Sequence, residues 1–455
     1  MTRTSADMAS SKTTRLSGQR FNSARRNLIK SAGIVTISQA FGETSAPAKK
    51  PRDADGVLLW PTWRGPQWEG SSSEGQPPIR WNASENVGWN VSLPGRGNGS
   101  PIVVGDQLIL LTAVENPETD GRHRFLAMAF DRRTGSESWR TVLTEKTPHE
   151  PGHTSNTFAS SSPVSDGDRI YVSLGSFGVY ALSLDGELLW KRHFGTLKTR
   201  RGYGEGVSPA VHDGVIVIPF DQEGPSFVIA LDAATGQTIW RTRRDEPTTW
   251  ATPLIARFGD RIQVVLSGHH RVESYDLNNG RSLWRCGPMS TNPIPTPVRY
   301  RDDVIVTTGY QGYVMHSISL AAKGDVNEGH PAMTWTQRQA APYVASPLVL
   351  DDFVYFVKSL TGLLICCDAA TGTITAPPLR LPKINSVYAS PVAANGNIYV
   401  TGRNGTTVVL KAGRQPEVIA VNPLDAAIDA SAAIANDAIF LRGKQSLYCL
   451  VNSES

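Results

Sequence analysis

Apolar residues in this chain come in short runs, each closed by glycine, aspartate or asparagine. "RIYVSLG" (169–175), "VIVIPF" (215–220), "VIVTTG" (304–309), "FVYFVK" (353–358) and "NIYVTG" (397–402) are typical. Runs this short, rich in β-branched and aromatic residues and bounded by turn formers, predict strands throughout.

Two landmarks recur among them. A Ser-Pro or Thr-Pro pair opens an apolar run at Pro101, Pro163, Pro209, Pro253, Pro297, Pro347 and Pro391, and a degenerate eighth copy, "SAAIANDAIFL", carries Ala432 in the proline position. Some thirty residues after an opening comes a closing segment: "AFDRRTGSESW", "LSLDGELLW", "ALDAATGQTIW", "SYDLNNGRSLW" or "CCDAATGTIT". In "ALDAATGQTIW" the strand ends at Asp232, whose carboxylate can accept turn N–H groups, and Gly236 suits a positive φ. Trp240, four residues on, falls on the same strand face as Gly236 if pairing is regular.

A period in the forties holding about four strands predicts a propeller blade. One blade cannot bury both faces, whereas a ring of blades covers each with its neighbour. The indoles Trp89, Trp139, Trp190, Trp240 and Trp284, with turn glycines Gly135, Gly236, Gly280 and Gly372, are therefore assigned to packing between blades. Eight openings predict an all-β, eight-bladed β-propeller of four-stranded antiparallel blades over residues 79–452. The last unit, ending in "LYCLVNSES", lacks its Trp strand; "VGWNVSL" (87–93), with Trp89, is expected to supply it and to close the ring. Residues 49–78 read as a linker and an irregular segment, "LLWPTWRGPQWEGSSSEGQPP", lying over the ring.

Composition adds little to this and excludes some readings. Hydrophobic residues make up 40% and charged residues 19%, which supports a large core. A formal charge of +4 without a basic stripe gives no reason to expect nucleic acid. At the N-terminus "RRNLIK" (25–30) precedes the modest apolar stretch "SAGIVTISQAFG" and then "APA" (46–48), so residues 1–48 are read as a Tat-like signal of an exported, periplasmic or envelope protein. No run approaches the roughly 20 apolar residues of a membrane span. Four cysteines, Cys286, Cys366, Cys367 and Cys449, are too few for a disulfide-built scaffold.

The Ser-Pro openings combined with A-x-D-x-x-T-G-x-x-x-W closings resemble the PQQ-like propeller repeat family, which includes quinoprotein alcohol dehydrogenases and BamB-type outer-membrane assembly proteins. The likeness covers roughly residues 80–452, and "WRGP" (63–66) is similar to the start of exported bacterial repeat proteins of that kind. It implies the eight-bladed ring, and it does not imply the quinone, because fold and function separate.

The catalytic candidates are weak. Many quinoprotein dehydrogenases carry an adjacent cysteine pair, but Cys366–Cys367 stands mid-strand, where successive side chains face opposite sides of a sheet. "HEPGH" (149–153) spells a zinc-protease motif, yet Pro151 and Gly152 oppose the helix it requires. His269–His270 read as a strand-end turn; no G-x-S-x-G elbow and no phosphate loop is present.

Position is the remaining clue. Links from the outer strand of one blade to the inner strand of the next gather round the central funnel. They carry Asn156, Tyr203, Glu205, Trp250, Asn292, Tyr343, Tyr388 and Asp429, candidate ligand-binding residues at its mouth. The leading expectation is a non-catalytic, exported, monomeric binding or assembly platform without cofactor or metal, taking a protein partner or small ligand at the propeller face. The alternative is a PQQ- and Ca-dependent alcohol or sugar dehydrogenase, with Asp429 or Glu205 as base and Asn156 or Asn292 on the metal.

Overall fold

A computed structural model describes residues 60–116, 118 and 121–453. The assignments to residues 1–48 and 49–59 lie outside these. Every one of the eight sheets is a four-stranded antiparallel meander, and two of them gain a short fifth strand in parallel. Together they form an eight-bladed β-propeller. Blade 1 comprises Ile102–Val104, Gln107–Glu115, His123–Asp131 and Glu137–Lys146, innermost strand first. Each later opening starts the next blade. Blade 8 runs Ala433–Ala435, Ala438–Arg442, Ser446–Leu450 and then, from the other end of the chain, Val87–Ser92. Trp89 pairs with Cys449 across that seam, so the chain's two ends close the ring.

The indole of each docking tryptophan reaches into the next blade rather than its own. An added Cβ on Gly236 would stand 2.7 Å from Cε3 of Trp190, and Trp190 Nε1 donates to Ala233 O at 3.0 Å. The same pairing joins Trp89 to Gly135, Trp139 to Gly186, Trp240 to Gly280 and Trp335 to Gly372. Gly236 and Trp240 thus do not share a docking face, because a bulge breaks the pairing between Thr238 and Trp240. Trp335 takes a place that the sequence reading left empty. Trp284 departs from the pattern: its Nε1 donates within its own blade to Gln263 Oε1 at 3.0 Å. The following turn, "SLAAKG", has Ala321 and Ala322 before Gly324, and that glycine meets nothing within 4 Å.

Residues 60–72 bind the inner strands on two sides of the ring. Trp60 exchanges backbone hydrogen bonds with Val103 (3.0 and 2.9 Å), and Pro61 O accepts from Ser165 N. The fully buried Arg64 then donates to Pro391 O (2.9 Å), Pro347 O (2.8 Å) and Glu69 O (3.1 Å), holding blades 6 and 7. Ser71–Ser72 adds in parallel to Val392–Ala394, and Trp81 stacks on Tyr399 as the chain runs out to the perimeter. No helix among the described residues is long and apolar enough to cross a membrane.

Candidate functional site

The Ser-Pro openings do more than start strands. Ser100 N donates to Ser162 Oγ, Ser162 N to Ser208 Oγ, Thr296 N to Ser346 Oγ, Ser346 N to Ser390 Oγ, Ser390 N to Ser431 Oγ and Ser431 N back to Ser100 Oγ, each at 2.9 Å. A belt of hydroxyls therefore ties inner strand to inner strand around much of the axis, and it explains the serine that opens six of the eight units. The belt is interrupted from Ser208 through Thr252 to Thr296, where Thr296 Oγ1 is buried without a hydrogen-bond partner. The sequence reading missed this function of residues it had used only as markers.

Beside the belt lies a funnel of about 420 Å³. Asn156, Tyr203, Trp250, Asn292, Tyr343, Tyr388 and Asp429 all line it. So do Trp63, Asn98, His153 and Tyr310, which the sequence reading did not select. Tyr310 and Tyr343 stack at 4.9 Å, and Trp250 Nε1 donates to Gly204 O at 2.8 Å. Asn292 holds φ +56°, and its Oδ1 is buried without a partner.

Glu205 is the correction. It does not reach the funnel. Its carboxylate turns the other way, into a separate cavity of about 50 Å³ lined also by His149, Glu150 and Asp221. There Oε2 accepts from Ser176 N at 2.6 Å and Oε1 from Ser176 Oγ at 2.5 Å, while His149 Nε2 stands 3.7 Å away. Burial pushes the carboxyl up to about 7, opposed by the Ser176 hydrogen bonds and by His149. Through these bonds Glu205 ties the Gly175–Phe177 turn to the funnel rim. His149 and His153 of "HEPGH" face the small cavity and the funnel respectively and share no centre.

Asp429, the one carboxylate among the funnel-lining residues, is held by Arg403 through Nε (2.6 Å) and Nη2 (3.0 Å). Arg403 in turn lies 4.0 Å over the Tyr388 ring. Both oxygens of this carboxylate accept from that one guanidinium, which holds its charge against a cation rather than against a substrate proton. The Asn156 amide is also spent: Nδ2 donates to Tyr203 O and Glu205 O, and Oδ1 accepts from Thr157 N and Ser160 Oγ. Ca²⁺ takes six to eight oxygen ligands. No group of three acidic, histidine or cysteine side chains able to hold a metal occurs among the described residues. Cys366 and Cys367 are buried thiols in separate apolar clusters, on opposite sides of blade 6. The residues at the funnel do not fit PQQ with Ca²⁺.

Known proteins place this ring in a family. A family model described as outer membrane protein assembly factor BamB matches residues 79–200 and 123–376. The chain is a PQQ-like repeat propeller and belongs to that family. Among relatives, the BamB of Yersinia pestis is 29% identical over 166 residues, 35% of this chain and 38% of that protein. The BamB of Bordetella pertussis is 26% identical over 264 residues, 55% of this chain and 62% of that protein. The chain thus spans less than two thirds of either relative. Among solved structures, BamB from Moraxella catarrhalis superposes with TM-score 0.55 at 12% identity, covering 81% of this chain and 97% of that one. Quinohemoprotein alcohol dehydrogenase from Comamonas testosteroni gives 0.60 at 10% identity, covering 87% and 81%. Likeness at such identities defines the fold alone.

Proposed function

We propose that this protein is a non-catalytic binding and assembly platform of the cell envelope, exported by the N-terminal signal of residues 1–48, working as a monomer and engaging a protein partner from a rigid propeller. The observation that carries the reading is that the funnel has a single carboxylate, already paired with Arg403, while the Asn156 amide is saturated by neighbouring loops and Asn292 Oδ1 alone of these candidates is left buried without a partner. What is left is a stiff ring whose loops and edges are displayed at fixed positions, the arrangement recognition requires. Family membership agrees, since the relatives are assembly factors by description.

In-cell photocrosslinking followed by purification of the tagged chain from native envelope tests it. The expected result is a discrete partner recovered reproducibly above a mock-tagged strain. Recovery of none from either membrane fraction or from the periplasm overturns it.

A further inference from the structure

Blade 4 shows what the outer edge of a blade in this protein can accept. Its last strand, Ser282–Cys286, is covered by Gly324–Asp325, which adds in parallel with Trp284 opposite Gly324 and Arg285 opposite Asp325. Val326 N donates to Arg285 O at 2.8 Å, and the Arg285 guanidinium grips the Asp325 carboxylate through Nε and Nη2. A two-residue strand thus covers this edge within the molecule and sets its one carboxylate, Asp325, on the strand's one cation, Arg285. Blade 7 is covered too, where Arg80 Nη2 donates to Ile419 O and Asn422 Nδ2 to Ile79 O.

Blade 2 has the same edge uncovered. In its outer strand, Leu188–Arg192, Trp190 and Lys191 occupy the places of Trp284 and Arg285. No strand among the described residues pairs with its outer side. Lys191 and Arg192 are exposed and have no ion-pair partner among the described residues. Leu188 and Leu189 are 47% and 46% exposed, two exposed aliphatics where the outer strands of blades 1, 3 and 7 each show one. Blade 3 is a lesser case: Arg241 lies 3.6 Å over Phe227, which leaves one exposed cation, Arg243, beside one exposed aliphatic, Ile239.

We infer that the outer edge of blade 2 is a docking strand for an extended acidic segment of a partner protein, which adds in parallel as a fifth strand and sets a carboxylate on Lys191. This rests on the platform reading and names its contact surface. Main-chain hydrogen bonds would supply affinity, and the Leu188–Leu189 pair with the two cations would supply choice. Edge cations also keep copies of a protein from pairing with one another, but that purpose asks for no exposed leucines.

The full chain is titrated with two blocked ten-residue peptides, alternating Val with Asp or Val with Lys, and followed by hydrogen exchange. The Val-Asp peptide is expected to bind saturably and to slow exchange over residues 188–192 at least tenfold. Lys191→Glu with Arg192→Glu should weaken it at least tenfold and favour the Val-Lys peptide, with an unchanged circular-dichroism spectrum. Lys191→Gln with Arg192→Gln, a milder change, should fall between. Equal binding of both peptides, protection elsewhere on the ring, or unchanged affinity in the charge-swapped protein overturns the assignment. If that protein still recovers envelope partners as the parent does, the edge assignment fails while the platform stands. If the parent recovers none, the platform itself falls.

Discussion

Gly280→Ala tests the contact on which the ring depends. Gly280 has φ +68°, and a Cβ there would stand 2.6 Å from Cδ2 of Trp240, the indole of the preceding blade. Gly259, in the same blade at φ +57°, has nothing within 4 Å of its added Cβ. Both substitutions therefore force an L-residue into the left-handed region, at about 1–2 kcal/mol each. Only Gly280→Ala also overpacks an indole that is 8% exposed and anchored by Trp240 Nε1 to Leu277 O at 2.7 Å. Overpacking adds about 1–3 kcal/mol. The expected losses are thus roughly 2–5 kcal/mol at Gly280 and about 1–2 kcal/mol at Gly259. Trp240→Leu removes the obstacle, so in the double variant Gly280→Ala should cost about what Gly259→Ala does, a coupling of about 1–3 kcal/mol. Urea titration read by far-UV circular dichroism and by tryptophan fluorescence supplies the four stabilities, provided the two transitions coincide. Equal losses at the two glycines, or additivity of Gly280→Ala with Trp240→Leu, would falsify indole docking between blades.

Arg64→Met should leave the carbonyls of Pro347, Pro391 and Glu69 without their donor, lowering stability by about 3–5 kcal/mol in the same denaturation assay. Glu205, with its carboxyl raised to about 7, binds its proton more tightly folded than unfolded. Its contribution is complete below about 4.5 and disappears as pH rises through 7. Stability should therefore fall over that window by on the order of 3 kcal/mol at most, read as a falling thermal midpoint, and Glu205→Gln should flatten this part of the profile. Titration with PQQ and Ca²⁺ should give no saturable absorbance change and no alcohol-dependent dye reduction; a stoichiometric quinone spectrum would return the dehydrogenase reading to consideration.

The repeat was legible because each blade repeats its turn chemistry in sequence. Ser-Pro, Asp-Gly and Asn-Gly elements mark strand ends locally, and counting them placed Val87–Ser92 beside the C-terminal strands. Relations between repeats were harder to read. The partner of Trp190 is Gly236, forty-six residues on, and nothing within one unit says that an indole skips its own turn. A one-residue bulge, invisible to a period-two pattern, decides which face Trp240 takes. Glu205 illustrates the same limit: it is two residues from Tyr203, yet it points into the blade rather than the funnel because Ser176 offers both N–H and O–H there. The Arg64 contacts join residues 283 and 327 positions apart and have no sequence pattern. One clue was available and unread. The 50-residue spacing between the openings at Pro297 and Pro347 makes room for the excursion that covers blade 4.

These features bear on where recognition falls. Around the axis, inner strands are tied by the hydroxyl belt and by Arg64, and the closing indoles tie the blades at larger radius. These ties cover most of the ring and lapse together only around blade 4, where the belt is interrupted and Trp284 bonds within its own blade. The outer strands are less constrained: those of blades 4 and 7 are covered by the chain's own segments, and that of blade 2 leaves its backbone unpaired among the described residues. Backbone groups left unpaired at an edge gain from a partner strand what buried groups already have. The perimeter, more than the bore, is where this propeller has free energy still to gain.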